Sequence, residues 1–76
     1  DSVWPTVAST RLYVERNGEV IDKLTLTDAY GATVMVCKDV ASGHGIDVSR
    51  LSDGMYIVTA VQGADVFYKK IVKVSR

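Results

Sequence analysis

Apolar and polar residues alternate along much of the 76-residue chain, with β-branched and aromatic side chains at many of the apolar positions. Turn formers interrupt the alternation at intervals of roughly eight to twelve residues, the rhythm of a sandwich or barrel. Val3-Trp4-Pro5-Thr6 predicts a first edge strand that ends at the proline, which cannot donate to a ladder. Arg11-Leu12-Tyr13-Val14-Glu15 predicts a second strand. The Asn17-Gly18 pair behind it tolerates the positive φ angles of a tight hairpin, so Val20 to Thr27 is expected to return as its partner. Within that partner Ile21, Leu24 and Leu26 change phase around Asp22-Lys23, which predicts a bulge there or a strand that starts near Lys23. Asp28-Ala29-Tyr30-Gly31 has the aspartate-first, glycine-last pattern of a type I turn. Thr33 to Lys38 is apolar on consecutive positions and is expected to be covered on both faces. The flexible Ser42-Gly43-His44-Gly45 loop then leads to Ile46-Asp47-Val48.

The most informative stretch is Leu51-Ser52-Asp53-Gly54-Met55-Tyr56-Ile57-Val58. A tyrosine near the start of a late strand can fold its hydroxyl back onto the backbone a few residues upstream, the tyrosine corner of immunoglobulin-like sandwiches. Tyr56 fits that role, with Leu51 plugging the end of the core, Gly54 supplying an unusual backbone angle, and Tyr56, Val58 and Ala60 sharing one face. Gln62-Gly63-Ala64-Asp65 predicts the last hairpin, and Val66 to Val74 the closing strand. No stretch keeps an apolar stripe at helical spacing. The fold class is therefore all-β: an immunoglobulin-like antiparallel β-sandwich of about six or seven strands, with Leu51, Tyr56 and Val58 buried and His44 exposed.

A chain of this length forms one domain over residues 1–76 with a thin core, and reads as a piece of a longer parent. Its 47% hydrophobic and 24% charged residues are those of a folded chain rather than a disordered one. Nine basic and nine acidic residues cancel, which removes the electrostatic footprint of a nucleic-acid binder. No apolar run approaches the roughly 20 residues of a membrane span, and the N-terminus lacks the regions of a signal peptide. Cys37 is the one cysteine; it has no internal partner and is expected to pack as a small buried hydrophobe. His44, between two glycines, lies in no nucleophile or metal-ligand motif. The seven aspartates fall mostly at turns and strand ends, where Asx side chains satisfy local backbone. Neither enzyme activity nor a cofactor or metal is expected.

Two features remain. From Val66 onward the chain carries Lys69, Lys70, Lys73 and Arg76 without an acidic residue. Such a basic, apolar-interleaved strand either guards a sheet edge against aggregation or presents a recognition surface. Trp4, the lone tryptophan, is expected to cap the core, the alternative being a binding platform.

These segments resemble the C-terminal signal domain of type IX secretion substrates. Ile46-Asp47-Val48-Ser49-Arg50-Leu51-Ser52-Asp53-Gly54-Met55-Tyr56-Ile57-Val58 looks like that family's "(I/L)D(V/L)SxLxxGxYxV" segment, and Tyr68-Lys69-Lys70-Ile71-Val72-Lys73-Val74 is similar to its lysine-rich tail. Val3-Trp4-Pro5-Thr6-Val7-Ala8 resembles its "YPNPA"-like opening, with Trp4 for the usual tyrosine and Thr6-Val7 for Asn-Pro. Leu24-Thr25-Leu26-Thr27-Asp28-Ala29-Tyr30-Gly31 is similar to its "xxIYDxxG" hairpin.

The resemblance implies a non-catalytic sorting signal. Cargo of this family crosses the inner membrane, folds in the periplasm and is passed by the type IX outer-membrane translocon to the cell surface or the medium. A surface sortase usually removes the domain, while some members retain it. Tyr68, Lys69, Lys70, Ile71, Val72, Lys73 and Val74 are then the residues expected to be read by the secretion machinery. An excised domain with a bare edge strand is also expected to form a homodimer through edge pairing. The alternative reading is a fibronectin- or immunoglobulin-like adhesion or carbohydrate-binding module that uses Trp4 and loop residues.

Overall fold

Inward-facing side chains from two sheets meet in one layer, and the alternation of the sequence places them there. The computed structural model describes residues 2–75. The elements in chain order are β1 (Ser2–Trp4), β2 (Val7–Ala8), β3 (Arg11–Glu15), β4 (Ile21–Asp28), β5 (Thr33–Val40), β6 (Gly45–Asp47), β7 (Gly54–Gln62) and β8 (Asp65–Lys73). A three-stranded sheet runs β1-β3-β6, and a five-stranded sheet runs β2-β8-β7-β4-β5. The arrangement is that of an immunoglobulin-like sandwich whose opening strand is divided between the two sheets. Leu12 and Val14 of β3 meet Leu24, Leu26, Val58 and Ile71 of the larger sheet, all of them 0–1% exposed. Burying an aliphatic side chain of this size contributes about 1.5–3 kcal/mol, so this layer supplies most of the driving force.

The structure has eight strands rather than six or seven because β2, which no alternation predicts, is only two residues long. So short a strand holds too few positions for a two-residue period to be read. It also makes the larger sheet mixed rather than antiparallel, since β2 pairs in parallel with β8 through Val7 opposite Val72 and Ala8 opposite Lys73. The chain passes from β1 to β2 over Pro5, which ends β1 at the edge of the smaller sheet as expected; its peptide bond with Trp4 is cis.

Three local expectations are corrected. Asn17 and Gly18 do adopt the mirror-image turn angles, φ 54° and 68°, with Glu19 N–H donating to the Arg16 carbonyl at 3.0 Å. The turn nevertheless joins no hairpin: β3 lies in one sheet and β4 in the other, so it carries the chain across the sandwich. The phase change in β4 is real, but the strand begins at Ile21 and its register with β5 holds from Ile21–Val40 through Leu26–Met35, shifting only between Leu26 and Thr27. Its partner changes phase too, at Asp39 with φ 53°, so Ile21 and Val40 turn inward together. Finally, β5 is covered on one face only. Met35 and Cys37 pack against the core, while Val34 and Val36 are exposed on the outer face of an edge strand.

Candidate functional site

The tyrosine corner forms as expected. Gly54 takes φ 146°, a region that disfavours a β-carbon, and opens β7 so that Tyr56 points inward two residues later. The Tyr56 hydroxyl donates to the Ser52 carbonyl at 2.6 Å, and the residue is buried. Val58 is buried beside it and His44 is exposed, whereas Leu51, expected to be buried, is only half-buried against the core because it lies in the loop ahead of β7. The corner fixes the start of β7, and β7 fixes β8: the two pair without interruption from Gly54–Lys73 to Gln62–Asp65, closed by the Gly63-Ala64 turn.

β8 divides into two unlike parts. From Ile71 onward it is enclosed. Ile71 is fully buried opposite Tyr56, and β2 covers the other side through hydrogen bonds from Val72 N–H to Thr6 O (2.8 Å) and from Val74 N–H to Ala8 O (2.9 Å). Before Ile71 no strand lies beyond β8 among the described residues. Backbone groups on a strand alternate sides, so the N–H and C=O groups of Val66, Tyr68 and Lys70 point to this open side, in line with those of Val72 and Val74.

The seven residues of the basic tail are therefore not one surface. Tyr68 is 68% exposed and shares the outer face of the sheet with Lys70 and the half-buried Val72. Lys69 is exposed too, but occupies a core-side register position opposite Val58. Lys73, grouped with the other lysines in the sequence, is 2% exposed and lies 3.7 Å from Asp53. It is a packed side chain with one ion-pair partner, unable to meet a receptor without unpacking. Arg76 lies outside the described residues. Asp53 also accepts the Ser75 hydroxyl at 2.6 Å, and that bond, ahead of the Lys73 charge, holds its carboxyl below the usual range. The pair of contacts ties the segment after β8 to the loop before β7. Nothing in the periodicity marks Asp53, Lys73 and Ser75 as a group, because the contact joins two chain ends of a hairpin across a loop.

Elsewhere the outcome is plainer. Trp4 does not cap the core. Val3 turns inward opposite Val14, so alternation puts Trp4 on the outer face, 38% exposed, where it stacks on Tyr13 at 5.5 Å and 19°. Between the free edges of β5 and β6 the sheets part around a cleft of about 490 Å³ lined by Met35, Cys37, Val40, Ile46 and His44 among others. Cys37 is partly buried there rather than fully enclosed. Among the described residues no group of three or more His, Cys, Asp or Glu side chains is placed to hold a metal. Asp47 serves its own turn, bonded to the Ser49 hydroxyl (2.6 Å) and N–H (2.9 Å), and these bonds lower its pKa.

Sandwich topology, tyrosine corner and a divided closing strand define an immunoglobulin-like all-β module. The sequence model of one family, the secretion system C-terminal sorting domain, matches residues 2–74. The chain belongs to that family and is a C-terminal sorting domain of type IX secretion, a route that takes its substrates across the outer membrane to the surface or the medium. No curated protein and no solved structure matches it.

Proposed function

We propose that the signal read by the type IX outer-membrane machinery is the open part of β8, Val66 to Lys70, and that the domain is a non-catalytic label at the end of a longer cargo protein. The observation that carries this is the row of outward backbone groups at Val66, Tyr68 and Lys70, in line with the two bonds β2 already makes. A receptor strand added there gains main-chain hydrogen bonds that do not depend on the cargo, as a shared label requires. Tyr68 and Lys70 then supply side-chain specificity, and Lys69 steers from the other face. Ile71, Val72, Lys73 and Val74 contribute by holding the strand in place. In this reading the domain reaches the receptor folded in the periplasm, and a surface sortase removes it after export. Two excised copies would pair along the same edges in the absence of a receptor, as a dimer in light scattering.

Truncating the chain after Phe67 would remove Ile71 from the core, so point changes test the proposal better. Proline is tolerated on an edge strand where its missing N–H faces solvent. A periplasmic reporter fused to the domain is expected to be exported with the wild-type sequence and retained with Tyr68→Pro or Lys70→Pro, each confirmed folded by circular dichroism. Wild-type export of both folded variants would refute it.

A further inference from the structure

The outer face of the five-stranded sheet carries a feature that the fold does not need. Lys23 of β4 and Lys38 of β5 stand directly opposite each other in the ladder, both exposed. Like charges opposed in this way destabilise a sheet. Neither lysine forms an ion pair among the described residues, where the ion pairs are Arg16–Asp65 and Lys73–Asp53. The neighbouring acids, Asp22 and Asp39, sit at the phase change of the two strands, and Asp22 is engaged by the Gly63 N–H at 2.7 Å. From Lys23 to Thr27, Thr33 to Lys38, Met55 to Val61 and Val66 to Val72, no outward position holds a carboxylate.

Lys70 adds a third cation on β8, and between the lysines the face mixes apolar side chains with Thr25, Thr27 and Thr59 and carries no carboxylate. Val36 and Val66 are each 49% exposed, and Tyr68 more so. We propose that this face docks an acidic, apolar protein surface, with carboxylates of the partner received between Lys23 and Lys38. The inference rests on the reading of β8 as the recognised strand and extends the contact two strands beyond it.

Charge decides the occupant. A second copy presents the same lysines and no carboxylate on this face, which disfavours self-pairing through it. A lipid surface is disfavoured, because the face is a pleated sheet interleaved with threonine and no amphipathic helix lies among the described residues to insert. The same pleat suits a protein surface of matching relief, and carboxylates there convert the repulsion of the lysine pair into attraction.

Lys23→Glu tests this, since it replaces the like-charge pair by an opposite pair while removing the docking charge. The variant is expected to melt about 2–4 °C higher than wild type yet to be exported about tenfold less well in the reporter fusion. In a nuclear magnetic resonance titration of the wild-type domain, a peptide alternating Glu and Val should shift the amides of Lys23, Val36 and Lys38, and not those of Lys23→Glu. Wild-type export of Lys23→Glu beside retention of Lys70→Pro would overturn this inference alone. Export of both would overturn the β8 reading with it. Binding to phosphatidylglycerol vesicles that depends on Lys23 and Lys38, with no response to the peptide, would assign the face to a membrane and equally overturn the proposal.

Discussion

The two parts of β8 share one strand, one partner and nearly one composition, yet they sit in opposite environments. Asp65 to Lys70 has β7 on one side and, among the described residues, no strand on the other, with side chains largely exposed; Ile71 to Lys73 lies between β7 and β2, with Ile71 and Lys73 buried. A two-residue strand, β2, makes the whole difference. The contrast shows that a lysine-rich tail is not a uniform tag. Its end is the anchor that presents its beginning, and a lysine in each part does a different physical task.

The comparison breaks most severely in the anchor. Ile71→Ala removes a fully buried side chain between Tyr56 and the smaller sheet and should cost about 2–4 kcal/mol in urea denaturation. A loss below about 1 kcal/mol would mean that the end of β8 is not held as described. Tyr56→Phe is expected to cost about 0.5–1.5 kcal/mol through the lost bond to Ser52. An unchanged midpoint would show the hydroxyl to be dispensable.

The tie at Asp53 sharpens the comparison by pH. Its carboxyl is lowered, so the stability it lends is present above the ordinary carboxylate range and is lost as pH falls through the folded value. Stability measured from pH 5 to 8 should therefore show no pH dependence from this group, its contribution being fully present there, with loss only below about pH 4. Ser75→Ala, removing the leading cause, should move the Asp53 titration upward when followed by nuclear magnetic resonance. In the open part the effects on stability are smallest. Lys69→Gln and Lys70→Gln alter exposed side chains without ion pairs among the described residues and should change stability by less than about 0.5 kcal/mol.

How far the sequence could be read follows from the range of each signal. Alternation and local turn chemistry make the longer strands legible, and the Leu51 to Val58 pattern marks the tyrosine corner by local signal alone. The signal failed where pairing partners are distant. The Asn17-Gly18 turn is correct in its angles, but angles say nothing about whether the next strand stays in the same sheet. β2 has two residues and therefore no period, so the enclosure of the end of β8 was invisible. The position of Lys73 could not be read either, because a lysine at an inward register position is indistinguishable by pattern from a solvated one. Trp4 misled for a related reason: its size suggested the core, while the phase set by Val3 put it outside.

Site-specific photo-crosslinking during export tests the division of β8 most directly. A photoreactive amino acid at position 68 should give adducts with outer-membrane components of the secretion machinery, and the same group at position 73, in a fusion shown to be folded, should give none. Adducts of equal yield from both positions, or from position 73 alone, would contradict the account.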